Sequence, residues 1–159
     1  MAKGNEIIVT SEPHGRFIEG TVSGTPKPGT CMQIKAATAA DANGRHTWEV
    51  YNRAADGNQY LVAVLLPDHY RGKLVSDAYV TGDHCFLYCP LPGDELNMLV
   101  ANIVGTSDDF AVGDLLIIDD GTGKLIATTG TPEAEPFEVL ETKAALTADT
   151  LVWCHFTGY

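Results

Sequence analysis

The sequence predicts an all-β protein, a compact small β-barrel or sandwich of about ten short strands with an extended N-terminal arm. Three observations lead there. Short segments that alternate apolar and polar residues, or are continuously apolar, recur along the 159 residues with turn residues between them. Sixteen Gly and eight Pro supply those turns. Strand-like segments do not alternate with long helical patterns, so a parallel nucleotide-binding sheet is not expected.

Residues 6–10 look strand-like, but Pro13, Gly15, Gly20, Gly24, Pro26, Pro28 and Gly29 follow closely. That density of breakers predicts an arm over residues 1–28, ahead of a barrel domain over residues 29–159. Residues 31–35 (CMQIK) alternate as a strand does. The alanine-rich residues 36–44 suit a helical turn, closed by Asn43-Gly44. Residues 46–51 (HTWEVY) alternate again, and Ala55-Asp56-Gly57-Asn58 is a turn. Residues 60–66 (YLVAVLL) are continuously apolar, the mark of a strand covered on both faces. A loop over 67–72 leads to a short strand at 73–75.

The centre of the chain is residues 77–100, DAYVTGDHCFLYCPLPGDELNMLV. Gly82-Asp83 and the break from Pro90 to Gly93 frame two strands, 84–89 and 95–100. After a polar loop at 105–110, Val112-Gly113-Asp114 turns into residues 115–118 (LLII). Asp119-Asp120-Gly121-Thr122-Gly123 is a hairpin signal, and residues 124–128 return. Residues 137–141 alternate, 144–149 have room for a helical turn, and 151–156 close the chain. In this last strand Leu151, Trp153 and His155 lie opposite Val152, Cys154 and Phe156.

Ten basic residues against 21 acidic ones give a formal net charge of −11. That balance opposes nucleic-acid binding, which needs clustered Lys and Arg, and opposes anionic membranes. No stretch approaches the roughly 20 apolar residues of a membrane-spanning helix. The first 15 residues lack the apolar centre of a signal peptide, so synthesis in a cytoplasm is expected, with the four cysteines as thiols.

His84, Cys85, Cys89, Cys154 and His155 invite a metal reading, because zinc favours such ligands. Strand geometry opposes it. At 3.3 Å per residue, Cys85 and Cys89 on one strand stand roughly 13 Å apart, too far for one zinc ion or a disulfide. Buried thiols acting as small hydrophobes are expected instead. The Gly121-Thr122-Gly123-Lys124 stretch lacks the spacing of a phosphate loop and runs into a strand, so it is expected to be a hairpin. No serine sits in a nucleophile elbow, and His14, His46 and His69 have no partner at motif spacing. No catalytic, metal or cofactor residues are therefore expected. Trp48, Tyr51, Tyr60 and Tyr70 could form a carbohydrate-stacking platform, but core and loop packing is the expectation for them.

At Gly82-Asp83, Pro92-Gly93-Asp94-Glu95-Leu96 and Val112-Gly113-Asp114 the chain resembles the capsid cement, or head decoration, proteins of tailed bacteriophages. The GTGKL turn, residues 125–128 and the closing TLVWC (150–154) fit the same series. The resemblance covers roughly residues 60–157 and rests on the order of several motifs, none of them catalytic. It implies a non-enzymatic virion protein on the outside of the head. Such a protein bridges major capsid protein subunits and strengthens the expanded shell, commonly as a homotrimer. It also implies an N-terminal arm that clamps the shell, where Ile7, Val9, Phe17 and Ile18 are the expected apolar contacts. The other readings are a metal-binding or enzymatic small barrel and a carbohydrate-binding sandwich.

Overall fold

A computed structural model describes residues 6–9, 13–36, 38–52, 62–101, 109–127, 137–144, 146 and 148–158. Ten strands account for nearly all of its regular structure: β1 Arg16–Val22, β2 Cys31–Ile34, β3 His46–Val50, β4 Ala63–Leu65, β5 His84–Cys89, β6 Glu95–Val100, β7 Leu115–Ile118, β8 Leu125–Ala127, β9 Phe137–Val139 and β10 Thr150–Phe156. A single 3-10 turn, His69–Arg71, is the only helical piece among the described residues. The all-β expectation holds, with one refinement: the strands close into two five-stranded barrels, β1-β3-β2-β4-β5 and β6-β8-β7-β9-β10.

The two barrels are the same object built twice. β1 runs parallel to β3, and β6 runs parallel to β8; every other neighbouring pair is antiparallel. The registers also correspond. Val22 is level with Trp48 in the first barrel, and Val100 with Leu125 in the second. Ile34 then pairs with Trp48 as Ile118 pairs with Leu125. Met32 pairs with Ala63 as Leu116 pairs with Phe137. Leu65 pairs with Leu87 as Val139 pairs with Cys154, and Leu87 faces Ile18 as Cys154 faces Leu96. Following the ladders round each barrel thus makes Ile18, Gly20 and Val22 equivalent to Leu96, Met98 and Val100.

Strand alternation sorts the side chains. Val22, Met32, Trp48, Ala63, Leu65, Cys85 and Leu87 fill the first barrel, joined by Tyr79 from the loop before β5. Leu96, Met98, Val100, Leu116, Leu125, Phe137, Val139, Val152, Cys154 and Phe156 fill the second. Cys31, Val64 and Tyr88, on the opposite face of β2, β4 and β5, join that second cluster, so the barrels share one continuous apolar contact. This explains why β4 is apolar at every position: one side faces its own barrel and the other its neighbour.

The two interiors are filled by different residues at equivalent positions. In the first, the Trp48 indole lies against Gly20, where a Cβ atom would sit 2.3 Å from Trp48 Cδ1. In the second, the equivalent positions are Met98 and Leu125. Phe137 and Phe156, with rings 5.3 Å apart, stand where the first barrel has Ala63 and Cys89.

Three expectations change. Residues 16–22, placed in the arm because of Gly20 and the nearby prolines, are wall strand β1, paired along its length with β5. Gly20 here is a packing residue, not a breaker, so the segment ahead of the barrel wall is shorter than residues 1–28. Residues 73–75 are not a strand; that loop is tied by hydrogen bonds from the Lys73 amide to the Asp68 carbonyl and from the Leu74 amide to the Asp77 carboxylate. The described part of 36–44 forms turns, with Asp41 accepting from the Asn43 and Arg45 amides, and no helix. Residues 55–58, 60–61 and 105–108 fall outside the described residues, as do all of 129–136 and two positions in 144–149.

Candidate functional site

Three turns with the pattern x-x-Gly-Asp lead directly into β5, β6 and β7. In each, the Asp amide donates to the carbonyl three residues back, and the Asp carboxylate accepts from that same residue's amide. The pairs are Val80 with Asp83, Leu91 with Asp94, and Ala111 with Asp114; their carboxylate bonds measure 2.9, 2.8 and 2.8 Å. Gly82, Gly93 and Gly113 take φ of 91°, 103° and 94°, the left-handed third position of a type II turn. The Gly-Asp motifs are thus one local device used three times to aim a strand.

The middle turn does more, because it sits where the first barrel hands over to the second. Asp94 is fully buried. Its carboxylate accepts from the Tyr88 hydroxyl at 2.6 Å, the Leu91 amide at 2.8 Å and the His14 amide at 3.1 Å, and the His14 ring nitrogen lies 3.4 Å away. Tyr88 in turn accepts from the Gly15 amide at 2.8 Å. Burial alone would raise the Asp94 carboxyl, but the bonds from Tyr88, Leu91 and His14 outweigh it and hold it below the usual carboxylate range. Burial, and donation to Asp94, push the Tyr88 phenol well up. This hub ties residues 13–15, β5 and the inter-barrel turn together, and it is the feature that reading the sequence missed. Its signal was present in Pro92-Gly93-Asp94, but the partner Tyr88 and the contact with His14 are tertiary.

Ahead of β1, residues 6–9 cross to the second barrel and extend its wall. Val9 donates to the Glu95 carbonyl at 2.9 Å, Asn97 donates to the Ile7 carbonyl at 2.7 Å, and Ile8 bridges Leu96 in antiparallel sense. Ile7 is buried in the second core. The four expected apolar contacts therefore separate. Ile7 is a core residue, and Ile18 points into the first barrel. Val9 is half-buried in the added strand. Phe17 alone is exposed, at 61%, with its ring 5.1 Å from that of Tyr88.

The sulfur and imidazole groups do not converge. Among the described residues no three His, Cys, Asp or Glu side chains stand where one ion could bind them. All four cysteines are free thiols; Cys31, Cys85 and Cys154 are buried and Cys89 partly so. Burial raises each, Cys85 to about 12, so none is poised as a nucleophile. His84 pairs with Glu19 at 3.3 Å and His155 lies 3.8 Å from Glu138, on different barrels.

The Asp119 to Lys124 stretch is the expected hairpin, and it is an interface element. Gly121 donates to the Tyr51 carbonyl, Cys31 donates to the Gly123 carbonyl, and Gly123 donates to Asp119. Those amides are spent on protein partners, and a Cβ at Gly123 would meet the Cys31 carbonyl oxygen at 2.3 Å. Lys124 pairs with Asp149. An open depression of 380 Å³ lies beside it, lined by residues including Thr25, Lys27, Thr122 and Lys124. Of the aromatic candidates, Trp48 and Tyr51 are buried, Tyr70 is 97% exposed, and Tyr60 lies outside the described residues.

No family model and no curated protein matches the chain.

Proposed function

We propose that the protein is a capsid cement protein of a tailed bacteriophage, binding the outer face of the head shell and bridging major capsid protein subunits, as a homotrimer on the shell. The observation that carries this reading is the ordered series of Gly-Asp turns and strands from Gly82 to Cys154, which resembles that family. Two features are compatible with it. Closed barrels leave few unpaired edges, which suits a protein held at high local concentration. The −11 charge favours solubility under the same conditions. Several weak contacts made at once would then give firm attachment to a repeating lattice.

The test is co-sedimentation of the purified protein with expanded, undecorated heads assembled from the major capsid protein of the same genome. Saturable binding with a fixed ratio of copies to capsid subunits is expected, together with greater resistance of the heads to heat. Heads that neither bind the protein nor gain stability would rule the reading out. The arm cannot be tested by removing residues 1–28, because that deletion takes β1 with it. Phe17→Glu is the suitable variant, since Phe17 is the exposed member of the four expected contacts.

A further inference from the structure

The correspondence between the barrels exposes one place where they differ. In the second barrel, β6 meets β8 only at its far end, where Val100 is level with Leu125. Its near end, residues 95–97, would be left without a neighbour on that side, and residues 6–9 of the chain fill the gap. In the first barrel, β1 likewise meets β3 only over its far part, from Gly20 opposite His46 to Val22 opposite Trp48. The hydrogen bonding beyond matches too: Ser23 donates to the Trp48 carbonyl as Ala101 donates to the Leu125 carbonyl. Residues 17–19 therefore stand where residues 95–97 stand, but none of the described residues bonds to the Phe17 carbonyl or the Glu19 amide on this side.

We propose that this near edge of β1 is a strand-addition site for an extended aliphatic segment of a partner chain. The direction of its groups follows from ladder alternation. In the second barrel the Glu95 carbonyl and the Asn97 amide point away from β10 and bond residues 6–9. By the same alternation the Phe17 carbonyl and the Glu19 amide point away from β5. A donor running antiparallel to β1 gives one amide to the Phe17 carbonyl and accepts from the Glu19 amide. Its central residue comes opposite Ile18, as Ile8 comes opposite Leu96.

The occupied slot also defines the donor's chemistry: an aliphatic residue opposite Ile18 and another beside the exposed Phe17 ring, as Ile8 and Val9 are placed. The position of Ile7 comes opposite the exposed Glu19 and not a buried residue such as Asn97. Residues 6–9 of a second copy are not the donor, because using them would empty that copy's own second barrel and expose its Ile7. The proposal does not depend on the capsid reading.

The test is an NMR titration of the full-length protein with the acetylated, amidated hexapeptide NEIIVT, which copies residues 5–10. Saturating amide shift changes at residues 16–19 and at His46 are expected. Methylating the backbone nitrogen of the peptide's valine, which should bond the Phe17 carbonyl, should weaken binding about tenfold or more. Absence of shifts at millimolar peptide would overturn the proposal, as would equal binding of the methylated peptide. Shifts confined to residues 95–97 would mean that the peptide only displaces residues 6–9, and would also overturn it. Concentration-dependent shifts at residues 17–19 without peptide would assign the edge to a second copy and refute the partner-chain assignment.

Discussion

Gly20 and Trp48 fill one interior between them, and this can be tested by a double-mutant cycle. In Gly20→Ala the added methyl would lie 2.3 Å from Trp48 Cδ1, 2.6 Å from Nε1 and 2.9 Å from the His46 carbonyl oxygen. Such distances force the buried indole or the β1–β3 pairing to move. Trp48 is 1% exposed, so it cannot relieve the contact by turning into solvent. Overpacking of this kind costs about 1–3 kcal/mol. Trp48→Leu, which copies Leu125 of the second barrel, opens a cavity and should cost about 2–4 kcal/mol by itself. With Leu at 48 the methyl at 20 has room, so the double variant should cost less than the sum of the singles by about 1 kcal/mol or more. Urea unfolding reports this through the transition midpoint, provided the slope stays constant. If Gly20→Ala costs under about 0.5 kcal/mol, or the two changes simply add, the complementary-filling argument is wrong.

Asp94 predicts an acid limb to stability. Its folded carboxyl titrates below the ordinary value, so its contribution is complete above the unfolded pKa near about 4 and is lost as pH falls through the lower, folded value. Urea midpoints of the wild type should fall more steeply between pH 5 and pH 2 than those of Asp94→Asn, which should be less stable at neutral pH by about 2–4 kcal/mol. Parallel acid limbs in the two proteins would remove Asp94 from that account. A thiol reagent at pH 8 should label the buried Cys31, Cys85 and Cys154 only as fast as the protein unfolds, with half-buried Cys89 first, and all four at once in denaturant. Rapid native labelling of Cys31 or Cys154 would contradict the shared core.

Strand positions were legible in the sequence wherever alternation or a continuous apolar run was local. Residues 84–89 and 95–100 match the observed strands, and Cys85 and Leu87 share the inner face that period-two geometry assigns them. The Gly-Asp turns were legible for the same reason, because type II geometry and the Asp bond involve only four adjacent residues. β1 was misread because Gly20 looks like a breaker until the indole it accommodates is in view. Which of the four expected contact residues are exposed was not legible, because hydrophobicity alone does not distinguish a core Ile7 from an exposed Phe17. The Asp94 hub joins His14, Tyr88 and Asp94 across as many as 80 positions, beyond the range of any spacing rule.

By itself the sequence determined the all-β class, the acidic surface, the turn chemistry and most of the strands, because each depends on neighbouring residues. The tertiary structure alone decided that there are two barrels, that they repeat one topology in matching register, and that residues 6–9 complete only the second. The repeat is hidden in the sequence because equivalent interior positions carry different residues, while ladder register is set by the backbone. Gly20 with Trp48 stands where Met98 and Leu125 stand, and Ala63 with Cys89 where Phe137 and Phe156 stand, with Tyr79 added to the first interior from the loop before β5.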